Sequence, residues 1–188
     1  MDDAGERKTY LLVDGENIDA TLGGSILGRR PQPEERPRWD RLLEFARERW
    51  GQPVQGLFFL AANAELPMPF VQALLAMGWR PIPLSGATHE KIVDIAIQRT
   101  LTAIAGRDGD VMLATHDGDF LPQVTALCEL DRRVGLVGFV EFRNRGLVAL
   151  GDQGLEFFDL EADVKAFNVS LPRVRVIPIS EFDPLEFL

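Results

Sequence analysis

Strand-length apolar runs and helical patterns alternate along this chain, and that alternation restricts its fold more than any other feature. The runs TYLLVD (9–14), VQGLFFLA (54–61), DVMLAT (110–115) and RRVGLVGF (132–139) have the length and apolar content of buried strands. WRPIPL (79–84) is weaker, and its prolines suit a sheet edge because proline cannot donate to a ladder. Between them stand WDRLLEFARERW (39–50), PMPFVQALLAMG (67–78), HEKIVDIAIQRTLTAIAG (89–106) and FLPQVTALCEL (120–130), all patterned as helices. Such an order calls for an α/β fold: a three-layer α/β/α sandwich around a central, mostly parallel sheet of five or six strands.

After residue 140 the periodicity weakens. LVALGDQGLEFFDLEAD (147–163) offers one or two edge strands, and RVRVIPI (173–179) alternates like another. Residues 1–163 read as the domain. Residues 164–188 read as an arm that packs on it or on a partner subunit, which admits a homodimer.

Composition removes several classes of function. No apolar run reaches the ~18–20 residues that spanning a bilayer needs, and the start MDDAGERKTY is too polar for a signal peptide, so a cytoplasmic protein is expected. The single cysteine, Cys128, can form neither an internal disulfide nor a cysteine-based metal site. A net charge of −9 argues against coating nucleic acid by charge alone. Local charge runs the other way in two places. GGSILGRRPQPEERPR (23–38) sets Arg29, Arg30, Arg36 and Arg38 against Glu34 and Glu35, and FVEFRNR (139–145) interleaves Phe139 and Phe142 with Arg143 and Arg145. Both follow strands and should open on one rim, where arginines and aromatics can hold the phosphates and bases of single-stranded RNA. The plainer reading makes them a solvated Pro/Gly loop and a buried strand end.

In an open parallel sheet, ligands bind beyond the carboxyl ends of the strands where strand order reverses. Two acidic clusters fall at such ends: VDGEN, where Asp14 closes the first strand, and THDGDF, where Asp117 and Asp119 follow the fourth. In the third helix Val93, Ile97, Thr100, Leu101 and Ile104 should face the sheet, with Lys91, Asp94 and Gln98 in a polar stripe beside them. Asp94 then leans toward the same pocket. Carboxylates so gathered either hold protons at raised pKa or bind a cation, and oxygen-only ligands favour Mg²⁺ or Mn²⁺. Phosphodiester hydrolysis is the natural chemistry of such an ion. Singly, each acid also has a local use: Asp14 as a strand-end turn acid, Asn17 as a helix cap, Asp117 or Asp119 as the cap of the helix starting near Phe120.

Three ordered segments, LLVDGENI (11–18), HEKIVDIAIQRTL (89–101) and LATHDGDFLPQV (113–124), carry a family likeness. Through them the chain resembles NYN-domain proteins, the branch of the PIN-like nuclease superfamily that includes LabA-like proteins. The resemblance implies a PIN-like sandwich and a Mg²⁺- or Mn²⁺-dependent ribonuclease that leaves a 5′-phosphate and a 3′-hydroxyl. It makes Asp14, Asp94, Asp117 and Asp119 the catalytic, metal-holding acids, with Asn17 orienting the first of them and Lys91 near a phosphate. Thr115 and His116 stand as supporting residues. His116 occupies a position where relatives often have glycine, and it either contacts a phosphate or bonds backbone. Thr100 stands where many relatives carry a further acid, which suggests a leaner site. The competing function is a catalytically weak or inactive NYN domain acting as an RNA- or protein-binding module. A Toprim-type site would want a glutamate at the position of Asp14, and an aspartyl phosphatase would want a hydroxyl residue near Asn17 or Ile18.

Overall fold

A computed structural model describes residues 7–63, 65–87, 91–173 and 176–188. Six strands, β1 (Thr9–Asp14), β2 (Val54–Ala61), β3 (Arg80–Leu84), β4 (Asp110–Ala114), β5 (Val134–Gly138) and β6 (Glu156–Asp159), form one sheet. Its order is β3-β2-β1-β4-β5-β6 and all pairs are parallel. The chain therefore runs outward from β1 in one direction, crosses back, and runs outward from β4 in the other. β1 and β4 are neighbours, with Val13 opposite Ala114, and strand order reverses between them. β3 lies at the edge, where Pro81 and Pro83 cost the ladder nothing on the open side.

Alternation along each strand sends side chains to two separate cores. On one face Leu11 and Val13 pack with Leu42, Ala46 and Trp50 of α2 (Trp39–Trp50) and with Val71 and Leu74 of α3 (Met68–Met77). On the other, Leu12 and Leu113 pack with Val93, Ile97 and Leu101 of α4 (Ile92–Ala105) and with Val124 and Leu127 of α5 (Leu121–Cys128). The result is the expected three-layer sandwich. Of the α4 residues expected to face the sheet, Val93, Ile97, Leu101 and Ile104 are buried, whereas Thr100 is only half-buried. Residues 88–90, the start of the pattern HEKIVDIAIQRTLTAIAG, lie outside the described residues. No helix among the described residues is long and apolar enough to cross a membrane.

Two segments depart from the sequence reading, and in a third, one of the one or two edge strands expected is formed. Residues 23–27, the start of the stretch weighed as a Pro/Gly loop, are helical: a short helix Gly15–Ala20 runs into a π-helical segment, Thr21–Leu27, so the arginine-bearing loop begins only after Leu27. Within 147–163 only Glu156–Asp159 is a strand. The Asn144 side chain accepts from the Gly146 and Leu147 amides and starts a helix, Arg145–Ala149, in front of it. Of RVRVIPI, Val174 and Arg175 lie outside the described residues. Val176–Pro178 form no strand, and Arg173 is drawn instead into ion pairs with Glu141 and Glu161. Before that point Val164, Ala166 and Leu171 are buried in the first core, and Arg41 donates to the carbonyls of Lys165 and Phe167.

Candidate metal centre

At the reversal point between β1 and β4 the backbone diverges, and the carboxyl ends of both strands open into a cleft of about 430 Å³. Asp14, Asn17, Lys91, Asp94 and Asp117 line it, joined by Glu16 and Asn63. The last two were not singled out as site residues from sequence. Their signal was positional, since each sits within two residues of the carboxyl end of a central strand.

Asp94, Asp117 and Asp119 each offer a carboxylate oxygen within 4.8 Å of the others. Asp14 stands apart from that trio, deeper in the same cleft and only 2 % exposed. The four acids thus arrive from three elements: the end of β1, the first turn of α4, and the loop after β4. Each also keeps a local contact. Asp14 accepts the Thr115 hydroxyl at 3.1 Å and, more loosely, the Asn17 amide at 3.4 Å. Asp117 accepts the Asp119 amide at 2.9 Å and opens the short 3₁₀ turn Gly118–Phe120. The capping roles and the convergence therefore coexist, because a carboxylate has two oxygens and about four lone-pair directions.

Electrostatics follow from this crowding. Burial raises the Asp14 pKa to about 7, with Asp94 and Asp117 adding to the shift and the Thr115 and Asn17 hydrogen bonds opposing it. Asp94 is raised as well, by burial first and then by Asp117, against the pull of Lys91. The Lys91 ammonium sits 3.0 Å from Asp119 and 3.4 Å from Asp94, and its own pKa is raised by them. A cationic group of the chain itself is thus drawn to the place where the acids converge. Because Lys91 is exposed, its pairs are weak and readily exchanged.

Thr115 and Asn17 hold the geometry. The Thr115 hydroxyl donates to Asp14 while accepting the Asp117 amide at 3.1 Å, which couples the two acidic clusters. The Asn17 side-chain oxygen accepts the His116 amide at 2.7 Å and ties the helix after β1 to the loop after β4. Gln98, from the polar stripe of α4, donates to the Asp119 carbonyl. Gly118 is needed for room: a Cβ there would meet the Asn144 amide carbon at 2.9 Å.

The His116 ring does not reach the acids. It packs on the α2–α3 side of the sheet, parallel to Phe139, where Nε2 accepts the Phe139 amide at 2.7 Å and Nδ1 lies 3.2 Å from the Thr21 hydroxyl. Nδ1 therefore carries the proton. Burial, with help from Arg143, pushes its pKa down to about 4. Of the two readings of His116, backbone bonding is the one the geometry meets. Thr100 donates to the Ala96 carbonyl in its own helix.

The arginines divide. Arg29 is clamped by Glu35 at 2.6 and 2.7 Å, and Arg143 lies over the Phe157 ring. Arg30 and Arg145 are exposed, whereas Arg36 and Arg38 stand beside Asp19 and Asp40 on a second cleft. Phe139 is fully buried and so is not placed to stack a base, whereas Phe142 is half-buried against the first core.

A family model described as the NYN domain matches residues 8–156. Among solved structures, the chain is similar to the crystal structure of a protein of unknown function from Vibrio parahaemolyticus. The two share 18 % identity and a TM-score of 0.68, over 87 % of this chain and 98 % of that one, a likeness of fold alone. No curated protein matches the sequence.

Proposed function

The chain belongs to the NYN-domain family, whose fold is of the nuclease-like PIN type, and from that premise we propose that it is a divalent-metal-dependent ribonuclease acting at the acidic cleft. The observation that carries this reading is the convergence of Asp94, Asp117 and Asp119 oxygens within 4.8 Å beside a buried Asp14. The donor set is all carboxylate, it already attracts Lys91, and it fits Mg²⁺ or Mn²⁺. Asp14, Asp94, Asp117 and Asp119 would hold the ion, with Asp14 deepest in the cleft. The chemistry such an ion supplies is polarisation of a phosphoryl oxygen and acidification of a water near neutral pH. Thr115 keeps Asp14 pointed into the cleft, Asn17 keeps the two strand ends in register, and Lys91 is free to move from Asp119 to a substrate phosphate. Purified protein should cleave single-stranded RNA in Mn²⁺ and not in EDTA. RNA binding without cleavage would instead support a regulatory binding module.

Metal binding should also depend on pH in a definite direction. Asp14 has a folded pKa of about 7, above the unfolded carboxylate value, so without metal its ionisation costs stability as pH rises toward 7. His116, with its folded pKa lowered to about 4, acts oppositely: stability is lost as pH falls from its unfolded value of about 6.5. A divalent ion needs Asp14 ionised, so its affinity should fall by about tenfold per pH unit below 7. Thermal unfolding with and without Mn²⁺ at pH 6 and pH 8 checks this, and an equal metal-induced rise in Tm at both would reject the linkage.

For the RNA itself, Arg30 and Arg145 are the exposed candidates, with Arg36 and Arg38 on the neighbouring cleft, while Arg29 and Arg143 are already engaged within the chain. Arg30→Glu is expected to weaken RNA binding and to lower the slope of log affinity against log salt by about 0.7 for a single strand. An unchanged slope would remove Arg30 from the interface.

A further inference from the structure

Beside the acidic cleft lies a second one of about 520 Å³. The two share Glu16, and Gly15 lies so close over the Phe58 ring that a Cβ would meet it at 2.6 Å. Its lining is of a different kind. Phe58 and Leu60 of β2 form an apolar floor, and Phe70, Ala73 and Met77 of α3 form one wall. Phe70 stands edge-on to Phe58, with ring centroids 5.5 Å apart. The opposite wall is the segment entering α2. There the Arg36 Nε is buried without a hydrogen-bond partner and meets Asp19 only at 3.8 Å. Polar groups on the rim are Glu16, Asp19 and Asp40 against Arg36 and Arg38.

We infer that this second cleft is a nucleobase subsite, which seats a base of the strand whose phosphate lies at the acids. The inference rests on the ribonuclease reading for its class of ligand. Two features select a base as the occupant. An aromatic and thioether wall offers a planar ring a stacking surface, which is how unpaired bases are held. The shared Glu16 sets the cleft next to the acids, as neighbouring units of one strand require. Three carboxylates against two arginines leave the rim with an excess of acceptors, which favours a base whose exocyclic amino group offers two N–H donors over uracil, which offers one.

The test uses ligands that cannot be cleaved: adenosine 5′-monophosphate, uridine 5′-monophosphate, and ribose 5-phosphate, which lacks the base, each titrated calorimetrically in Mn²⁺. Adenosine monophosphate should bind on the order of tenfold more tightly than ribose 5-phosphate, with uridine monophosphate between them. Ala73→Trp, on an exposed helix face, should fill the cleft and remove that advantage while leaving ribose 5-phosphate unaffected. Phe70→Leu, which keeps apolar volume, should reduce it. No advantage for the base in the wild-type protein, or an advantage that survives Ala73→Trp, overturns the subsite, and uridine monophosphate binding as tightly as adenosine monophosphate overturns its amino-group preference. If Ala73→Trp instead turns a dimer into a monomer by sedimentation, the cleft holds a second copy of the chain and the subsite is rejected. Cleavage is scored separately on RNA, so base-dependent binding without RNA hydrolysis would reject the ribonuclease reading and leave the subsite standing.

Discussion

Replacing Asp14 with asparagine is expected to cut Mn²⁺-dependent RNA cleavage by at least about a thousandfold, the effect of losing roughly 4 kcal/mol of charge stabilisation at the reacting phosphate. Fold and stability should survive the change. The amide is nearly isosteric, and its oxygen can still accept the Thr115 hydroxyl that now bonds Asp14 at 3.1 Å. Because burial holds the Asp14 pKa at about 7, the wild-type protein carries an unfavourable buried charge at pH 8 that the substitution removes. Metal-free Asp14→Asn should therefore unfold at the same temperature as wild type or higher at pH 8, and gain less from Mn²⁺. Loss of activity combined with retained or increased stability is the pattern of a functional residue that the fold tolerates at a cost. Single-turnover cleavage and thermal unfolding in EDTA measure the two halves. Activity within tenfold of wild type would remove Asp14 from the site and with it the proposed mechanism.

Asp110→Ala should give the largest loss of stability, about 3 kcal/mol, or a fall in Tm of roughly 6–12 °C for a domain of this size. Asp110 opens β4 at the end of the sheet opposite the acidic cleft and is only 2 % exposed. It accepts from the Arg7 guanidinium at 2.8 Å, from the Gln52 amide at 2.8 Å and from the Arg133 backbone amide at 2.8 Å. Removing the carboxylate takes an acceptor from all three donors at once; the half-exposed Arg7 can turn to water, but the Gln52 and Arg133 groups are part-buried, where an unsatisfied donor costs more than a lost surface pair. Burial alone would raise the Asp110 pKa, but the Arg7, Arg133 and Gln52 hydrogen bonds together hold it below the usual carboxylate value. Its contribution is thus present above the unfolded value of about 4 and is lost as pH falls through the folded one. Chemical denaturation at pH 7 checks the magnitude. A midpoint unchanged by the substitution would show that the hub is dispensable.

Much of the fold was legible in the residues because strand and helix periods are local. WDRLLEFARERW and VQGLFFLA carry their own repeat, and the structure gives α2 and β2 those same bounds. The prolines of β3 announced an edge for an equally local reason. The segment after β5 was less legible because a single side chain, Asn144, decides between helix and strand there. Asp94, Asp117 and Asp119 were legible as a group, since their places relative to strand ends and to the polar stripe of α4 follow from the same periods. Asp110 was not, because an acid at the start of a strand looks like any other until Arg7, Gln52 and Arg133 are known to surround it.

By itself the sequence determined the alternation of elements, the α/β class, and the fact that acids stand at the ends of two strands. These depend on spacings of two and of between three and four residues, which each segment carries within itself. Only the tertiary structure decided that β1 and β4 are neighbours and that Asp14 lies deeper than the other three acids. It alone set Lys91 among them, turned the His116 ring to the other face, clamped Arg29 on Glu35 and opened an apolar cleft beside the acidic one. Each of those outcomes is a balance of burial against charge pairing between residues distant in the chain, and no local pattern contains that balance.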